Sequence, residues 1–220
     1  MDTLDLNNLP EADLIDELAD HITDGSKTGL RFINHPYVNT IYTPSLNALY
    51  NLNYLGKKKA VDEARTDSEW SRFIFLHERP YRLHALIELV AEHDSAAADE
   101  NIVSCVARNI IVQNLHDVYI DSEGTHLNRE LWQELFERLP RAHRNTNGLP
   151  KKVILYRGTD IATGKDRGFS WTLNKEKAQW FADRWEKGGH VRALEVLRDG
   201  IMLYTDDRGE SECVYFGPLA

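Results

Sequence analysis

Apolar residues recur at helical spacing through the first 150 positions and at strand spacing after them. Leu14, Ile15, Leu18 and Ile22 share one helical face, opened by Leu9-Pro10-Glu11 and stopped by Asp24-Gly25. With the acidic residues around them they predict an amphipathic helix within residues 1–24. A Leu/Tyr-rich run follows Pro44-Ser45 through Leu46, Leu49, Tyr50 and Leu52, and should end near Gly56. Asp67-Ser68-Glu69 suits a cap ahead of Trp70, Phe73, Ile74 and Leu76. Pro80 lacks the N–H that would continue that helix, so a new one is expected from Leu83 to Val90. Ile102 to Leu115 predicts a long apolar helix, and Asn128 a cap for the helix carrying Leu131, Trp132, Leu135, Phe136 and Leu139. Residues 141–150 are polar and turn-rich.

Beyond residue 150 the period shortens. Val153 to Tyr156, Gly168 to Leu173, Val191 to Leu197, Ile201 to Tyr204 and Cys213 to Phe216 each read as strands. Between the second and third, Asn174 caps a helix with Ala178, Phe181, Ala182 and Trp185 on its inner face. Seventy strand-rich residues are too few to cover both faces of a sheet. The expected fold is therefore α+β. A helical N-terminal layer, residues 1–150, would pack on a mixed β-sheet core, residues 151–220, in one compact unit.

Charge narrows the function. The net charge is −9. Residues 1–24 hold eight acids and no Lys or Arg. Such a balance argues against non-specific binding to a polyanion. The acidic segment could instead dock a partner through the helical half. No apolar run approaches membrane-spanning length, and the N-terminus is acidic where a signal peptide is basic, so a cytoplasmic protein without membrane contact is expected. Cys105 and Cys213 lie far apart and make no disulfide framework. Cys105 sits in an apolar helical run and reads as core.

Several motifs fail. His77-Glu78 begins a zinc-protease pattern, but Tyr81 stands where the second His belongs. His93-Asp94 and His116-Asp117 resemble paired metal ligands without a fixed further set, so no metal is expected. Gly168-Phe169-Ser170 resembles a nucleophile elbow, but Thr172 replaces its second Gly.

Three pieces in the strand-rich half survive together. Tyr156-Arg157-Gly158 ends a strand, where Arg157 offers a planar, charged fork to a phosphate and Gly158 admits a close ligand. Ser170-Trp171-Thr172 puts two hydroxyls on one face and the indole on the other. In Arg208-Gly209-Glu210-Ser211-Glu212 the two carboxylates share a face at a strand mouth. They repel and need a cation nearby, which suits a reaction passing through one.

Arg157, then Ser170 and Thr172, then Glu210 and Glu212 on successive strands resembles the Arg-Ser-Glu class of mono-ADP-ribosyltransferases. The segments are especially similar to small phage-associated and anti-CRISPR-like members, and Glu69-Trp70 and Arg79-Pro80 in the helical half also resemble them. The likeness spans roughly residues 153–217. Trp171 departs from it, since many relatives carry a small residue there. The resemblance implies NAD+ as donor substrate, transfer of ADP-ribose with loss of nicotinamide, and no metal. It implies that Glu212 stabilises an oxocarbenium-like transition state and Ser170 holds Glu212. Arg157 would grip the phosphates and Gly158 the nicotinamide amide, and Thr172 would support the strand or the ribose. Glu210 would position and deprotonate a macromolecular acceptor, a protein Arg ahead of RNA or DNA. Plain NAD+ hydrolysis, as by a depleting toxin, and a catalytically inactive binding module are the alternatives. Trp180, Phe181 and Trp185 read as helix core rather than site.

Overall fold

The computed structural model describes residues 11–25, 29–95, 100–122, 128–159, 168–184 and 189–217. They form an α+β protein with seven α-helices and two antiparallel sheets among the described residues. The chain divides into two compact units, residues 1–97 and 98–220. The sequence suggested one unit with its change of texture near 150. The division falls earlier because the helix from residue 100 carries its apolar face within the strand-rich unit.

The first unit contains three strands that the helical pattern hides. Strands β1 (Ile22–Asp24), β2 (Arg31–His35) and β3 (Val38–Ile41) form an antiparallel sheet in that order. Ile22 pairs with Ile33, and His35 with Val38 across a tight turn. The amphipathic helix expected in residues 1–24 is thus reduced to the single turn α1 (Asp16–Ala19), residues 1–10 lying outside the described residues. β-branched Ile22 and Thr23 prefer the extended backbone, and pairing with β2 overrides the helical spacing. Leu18, Ile33, Val38, Tyr50 and Tyr54 make the core here.

Helix α2 (Asn47–Thr66) supplies both tyrosines and runs through Gly56 instead of ending there. An interior Gly costs about 1 kcal/mol, which the good helix formers after it and the burial of Val61 and Ala64 outweigh. After α3 (Trp70–Leu76), Pro80 sits in a 3-10 turn and α4 (Arg82–Ser95) begins anew, as its ring requires. Glu69 rather than Asp67 or Ser68 occupies the N-cap position of α3. The turn is tied to the sheet, with Glu78 N–H donating to Pro36 O at 2.8 Å and Tyr81 OH to Asn34 O at 2.5 Å.

The second unit opens with α5 (Glu100–Asp121) and α6 (Arg129–Arg138). Buried Ala107, Ile110, Ile111, Leu115, Val118 and Tyr119 recur on one face of α5. Cys105 is exposed, against the core position expected for it, because it falls off this face. Asn128 stands at the N-cap of α6 without a capping side-chain hydrogen bond. The strands follow as β4 (Lys152–Thr159), β5 (Ser170–Thr172), β6 (His190–Leu197), β7 (Leu203–Thr205) and β8 (Glu212–Val214). Their order is β6-β4-β5-β8-β7, and every pairing is antiparallel, so the sheet is not the mixed one expected. Each neighbour is reached by a reversal of the chain rather than by a parallel crossover.

Register sorts the side chains. Trp171 pairs with Cys213, and both enter a core with Leu149, Val153, Leu155, Val196 and Ile201. Thr172 pairs with Glu212 and with Tyr156, on the opposite face. Tyr119, Trp132 and Phe136 from the helices meet Phe169 and Phe216, which flank β5 and β8. Phe169 and Phe216 stack at 4.4 Å. Each such buried ring contributes about 1.5–3 kcal/mol, enough to hold α5 and α6 against the strand ends. Helix α7 (Lys175–Ala182) starts as predicted, with Asn174 Oδ1 accepting from the N–H groups of Glu176 and Lys177. No helix among the described residues is long and apolar enough to cross a membrane.

Candidate functional site

A cleft of about 460 Å³ lies in the second unit, lined by β4, β5, α7 and the start of β8. Arg157, Gly158, Ser170, Thr172, Glu210 and Glu212 all line it. The three sequence pieces, more than 50 residues apart at their extremes, therefore meet in one place. β5 is the reason. It sits between β4, which carries Tyr156-Arg157-Gly158 in its second half, and β8, which begins at Glu212.

Glu212 is the centre of the arrangement. It is 3% exposed, at the first position of β8. Its Oε1 accepts from Ser170 Oγ at 2.5 Å and from Tyr119 OH at 2.5 Å. Its Oε2 accepts from Arg208 Nη2 at 2.5 Å. A carboxylate this buried is tolerable only with such donors, since an unpaired one costs several kcal/mol. Arg208 also lies 3.8 Å from Glu210 through Nε. It is the cation that two carboxylates at i and i+2 require. Burial works against the Arg208 cation, but Glu212 and Glu210 more than offset it, and its pKa is raised. Burial, and then the Glu212 charge, push the Tyr119 phenol well above its ordinary value.

The loop before β8 is shaped to deliver these groups. Gly209 and Ser211 adopt left-handed backbone, at φ 63° and 45°. Glycine does so freely, whereas Ser211 needs support. Asp206 supplies it, its Oδ1 accepting from Ser211 N–H at 2.7 Å and Ser211 Oγ at 3.1 Å. His116 of α5 braces the outer side through Asp207 Oδ2 at 3.1 Å, while its Nδ1 meets Asp117 at 2.9 Å. The contact with Asp207 ties the loop to α5. Among the described residues no group of three or more His, Cys, Asp or Glu is placed to hold a metal. Thr172 Oγ1 donates to Glu210 O at 2.5 Å and accepts from Asn174 N–H at 3.0 Å. Its hydroxyl therefore secures the loop carrying Glu210.

Arg157 lies across from this carboxylate, its Nη1 donating to the Ser170 carbonyl. Gly168 makes room for it, because a Cβ there would overlap the guanidinium. Gly158 faces α7, where a Cβ would strike the Ala178 and Ala182 backbone. Its glycine is required for helix packing.

Three residues of the site region, Tyr119, Phe181 and Arg184, lie outside the sequence motifs, and Arg208 lies inside one without a role assigned to it there. Tyr119 reaches Glu212 from 93 positions away, on an otherwise apolar helix face. Arg208 stands within the quoted acidic segment, where the need for a cation was its signal. Phe181 and Arg184 line the cleft from α7 and the turn after it. Phe181 is thus a cleft residue rather than the core residue its spacing suggested. Trp180 also departs from that reading, being 52% exposed with Arg184 Cζ 4.6 Å from its ring centre. Trp185 lies outside the described residues. No protein-family model, curated protein or solved structure matches the chain.

Proposed function

We propose that the protein is an NAD+-dependent mono-ADP-ribosyltransferase acting on a macromolecular acceptor, with a protein Arg as the favoured target. One observation carries the reading, the hydrogen bond from Ser170 Oγ to a buried Glu212 in a cleft that Arg157 also lines. It unites a cation-stabilising carboxylate, its hydroxyl support and an anion-binding fork. The cleft volume also lies in the range that takes a drug-sized or larger cofactor-like ligand.

The chemistry follows from these groups. Arg157 binds the phosphates as a charged fork. The bond between C1′ of the nicotinamide ribose and the pyridinium nitrogen breaks, and the nitrogen keeps the electron pair. Nicotinamide leaves neutral. The positive charge moves to the ribose, where the Glu212 carboxylate stabilises it electrostatically. An acceptor nitrogen forms the new bond to C1′ and gives its proton to Glu210. An arginine acceptor is favoured because a carboxylate such as Glu210 can draw a guanidinium to the reaction centre.

The test is incubation of wild type and Glu212→Gln with tagged NAD+ in bacterial lysate. Wild type should release nicotinamide and leave a protease-sensitive labelled band. Glu212→Gln should lose about 10²–10³-fold in rate with its fold retained, the size of effect typical for removing an electrostatic stabiliser. A band lost on RNase treatment would move the acceptor to nucleic acid. NAD+ loss without any labelled acceptor would identify a glycohydrolase. No NAD+ consumption by folded wild type would reject the proposal and favour a binding module.

A further inference from the structure

We infer that Tyr119, from the helical layer, is a positioning residue for Glu212. The inference rests on the reading of Glu212 as the carboxylate that faces the departing nicotinamide, and it extends the working site to α5. Tyr119 is 1% exposed and its ring is gripped by Trp132, Phe136 and Phe169. A phenol so enclosed cannot turn to water, and its hydroxyl has to find a partner inside the protein. That partner is Glu212 Oε1, at 2.5 Å.

The other two donors on Glu212 are held less firmly. Ser170 is only partly buried, and a serine hydroxyl rotates about a single bond. Arg208 has a side chain 40% exposed, on a long flexible stem in a loop. Tyr119 alone approaches from a rigid helix through a locked ring. It fixes the rotamer of Glu212, and so determines which oxygen remains for substrate. Oε1 is occupied twice and Oε2 once. A carboxylate offers about four acceptor sites, so the remaining capacity lies on Oε2. One ribose hydroxyl can use it. Positioning of this kind lowers the barrier without adding affinity for the ground state.

The experiment compares wild type and Tyr119→Phe in steady-state NAD+ consumption, with rates taken per folded molecule. Phenylalanine keeps the ring and its neighbours and removes only the donor. The expected result is a fall in kcat of about 10- to 100-fold, as for a hydrogen bond to a charged group, with KM for NAD+ within about twofold. A merely structural role would lower the melting temperature and leave kcat of the folded enzyme alone, and that result would overturn the inference. So would a rise in KM at constant kcat. Should the phenylalanine variant fail to fold, para-fluorophenylalanine at position 119 fills the hydroxyl's space without donating, and the same loss of kcat is expected. Para-aminophenylalanine, which restores a donor at that ring position, should recover most of the rate. Failure to recover it would count against a donor role. A folded wild type that never consumes NAD+ would remove both the proposed function and this inference, whereas an active wild type matched by Tyr119→Phe would remove the inference alone.

Discussion

Each of the two units buries a titratable side chain on a sheet, and the two are treated in opposite ways. In the first unit His35 is 9% exposed and packs edge-on against His21 at 4.7 Å, Tyr54 at 5.1 Å and Tyr37 at 5.2 Å. Its Nδ1 accepts from Tyr37 N–H at 3.0 Å, a role open only to the neutral ring. Desolvation, followed by the nearby His21 and Lys58 charges, lowers its pKa to about 4. In the second unit Glu212 is buried more deeply but receives a guanidinium and two hydroxyls. Burial and like-charged neighbours hold His35 neutral, whereas the buried Glu212 carboxyl is supplied with three hydrogen-bond donors. A buried charge that has been provided with donors, at the edge of a cleft, is where function is to be sought.

The largest effect that sharpens this contrast comes from Gly168. The atoms nearest a Cβ there belong to the end of the Arg157 side chain, which can swing aside. Gly168→Ala should therefore leave the fold intact and take the fork out of place. KM for NAD+ should rise by about tenfold, the value of one charge-assisted hydrogen bond, with kcat little changed. An unchanged KM, measured beside a normal melting curve, would mean that Arg157 serves only the sheet.

A smaller effect is expected in the first unit, and on stability alone. In the unfolded chain His35 titrates near 6.5, and in the fold near 4. Between those values the unfolded state binds a proton that the fold does not. Its contribution to stability is complete above pH 6.5 and is lost as pH falls toward 4. Solvent screening reduces the cost to about 1 kcal/mol, or roughly 4–8 °C in melting temperature. His77, whose pKa is lowered chiefly by burial, acts in the same direction. His35→Asn offers Oδ1 to Tyr37 N–H without titrating. It should flatten the melting-temperature slope between pH 7 and pH 5 and leave NAD+ turnover alone. A variant that lost turnover instead would put His35 in the reaction and erase the difference between the units.

The same contrast explains how much of the molecule could be read in the sequence. The cleft residues were legible because three short pieces fell near strand ends, where alternation puts Ser170 and Thr172 on one face; that Glu212 joins them depends on the register that pairs it with Thr172. Asn174 was legible as a cap because its chemistry is local. The small sheet of β1, β2 and β3 was not, since each strand is short and Ile22 also satisfies a helical spacing. Antiparallel order was not, because pairing partners are chosen by long-range packing. Tyr119 was hidden for a related reason. An aromatic on an apolar helix face looks the same in sequence whether its hydroxyl meets a carbonyl or, as here, a carboxylate 93 residues later.

The smallest effect separates two cysteines and tests the burial rule without touching the site. Cys213 directly follows Glu212, but alternation sends its thiol into the core with Trp171 and Leu155. Burial, and after it the Glu212 charge, push that thiol up to about 12. Like His35, it is kept neutral by burial together with a neighbouring charge of the sign it would take. Thiolate is the form that alkylates, so at pH 8 Cys213 has almost none to offer. Exposed Cys105 should take one equivalent of a maleimide promptly, with NAD+ turnover unchanged. Cys213 should react only when urea unfolds the second unit, and its rate should track that unfolding. Prompt labelling of Cys213 in the folded protein would mean that β8 opens readily, and a Glu212 carried on so loose a strand could not be held in one geometry by Tyr119 and Ser170.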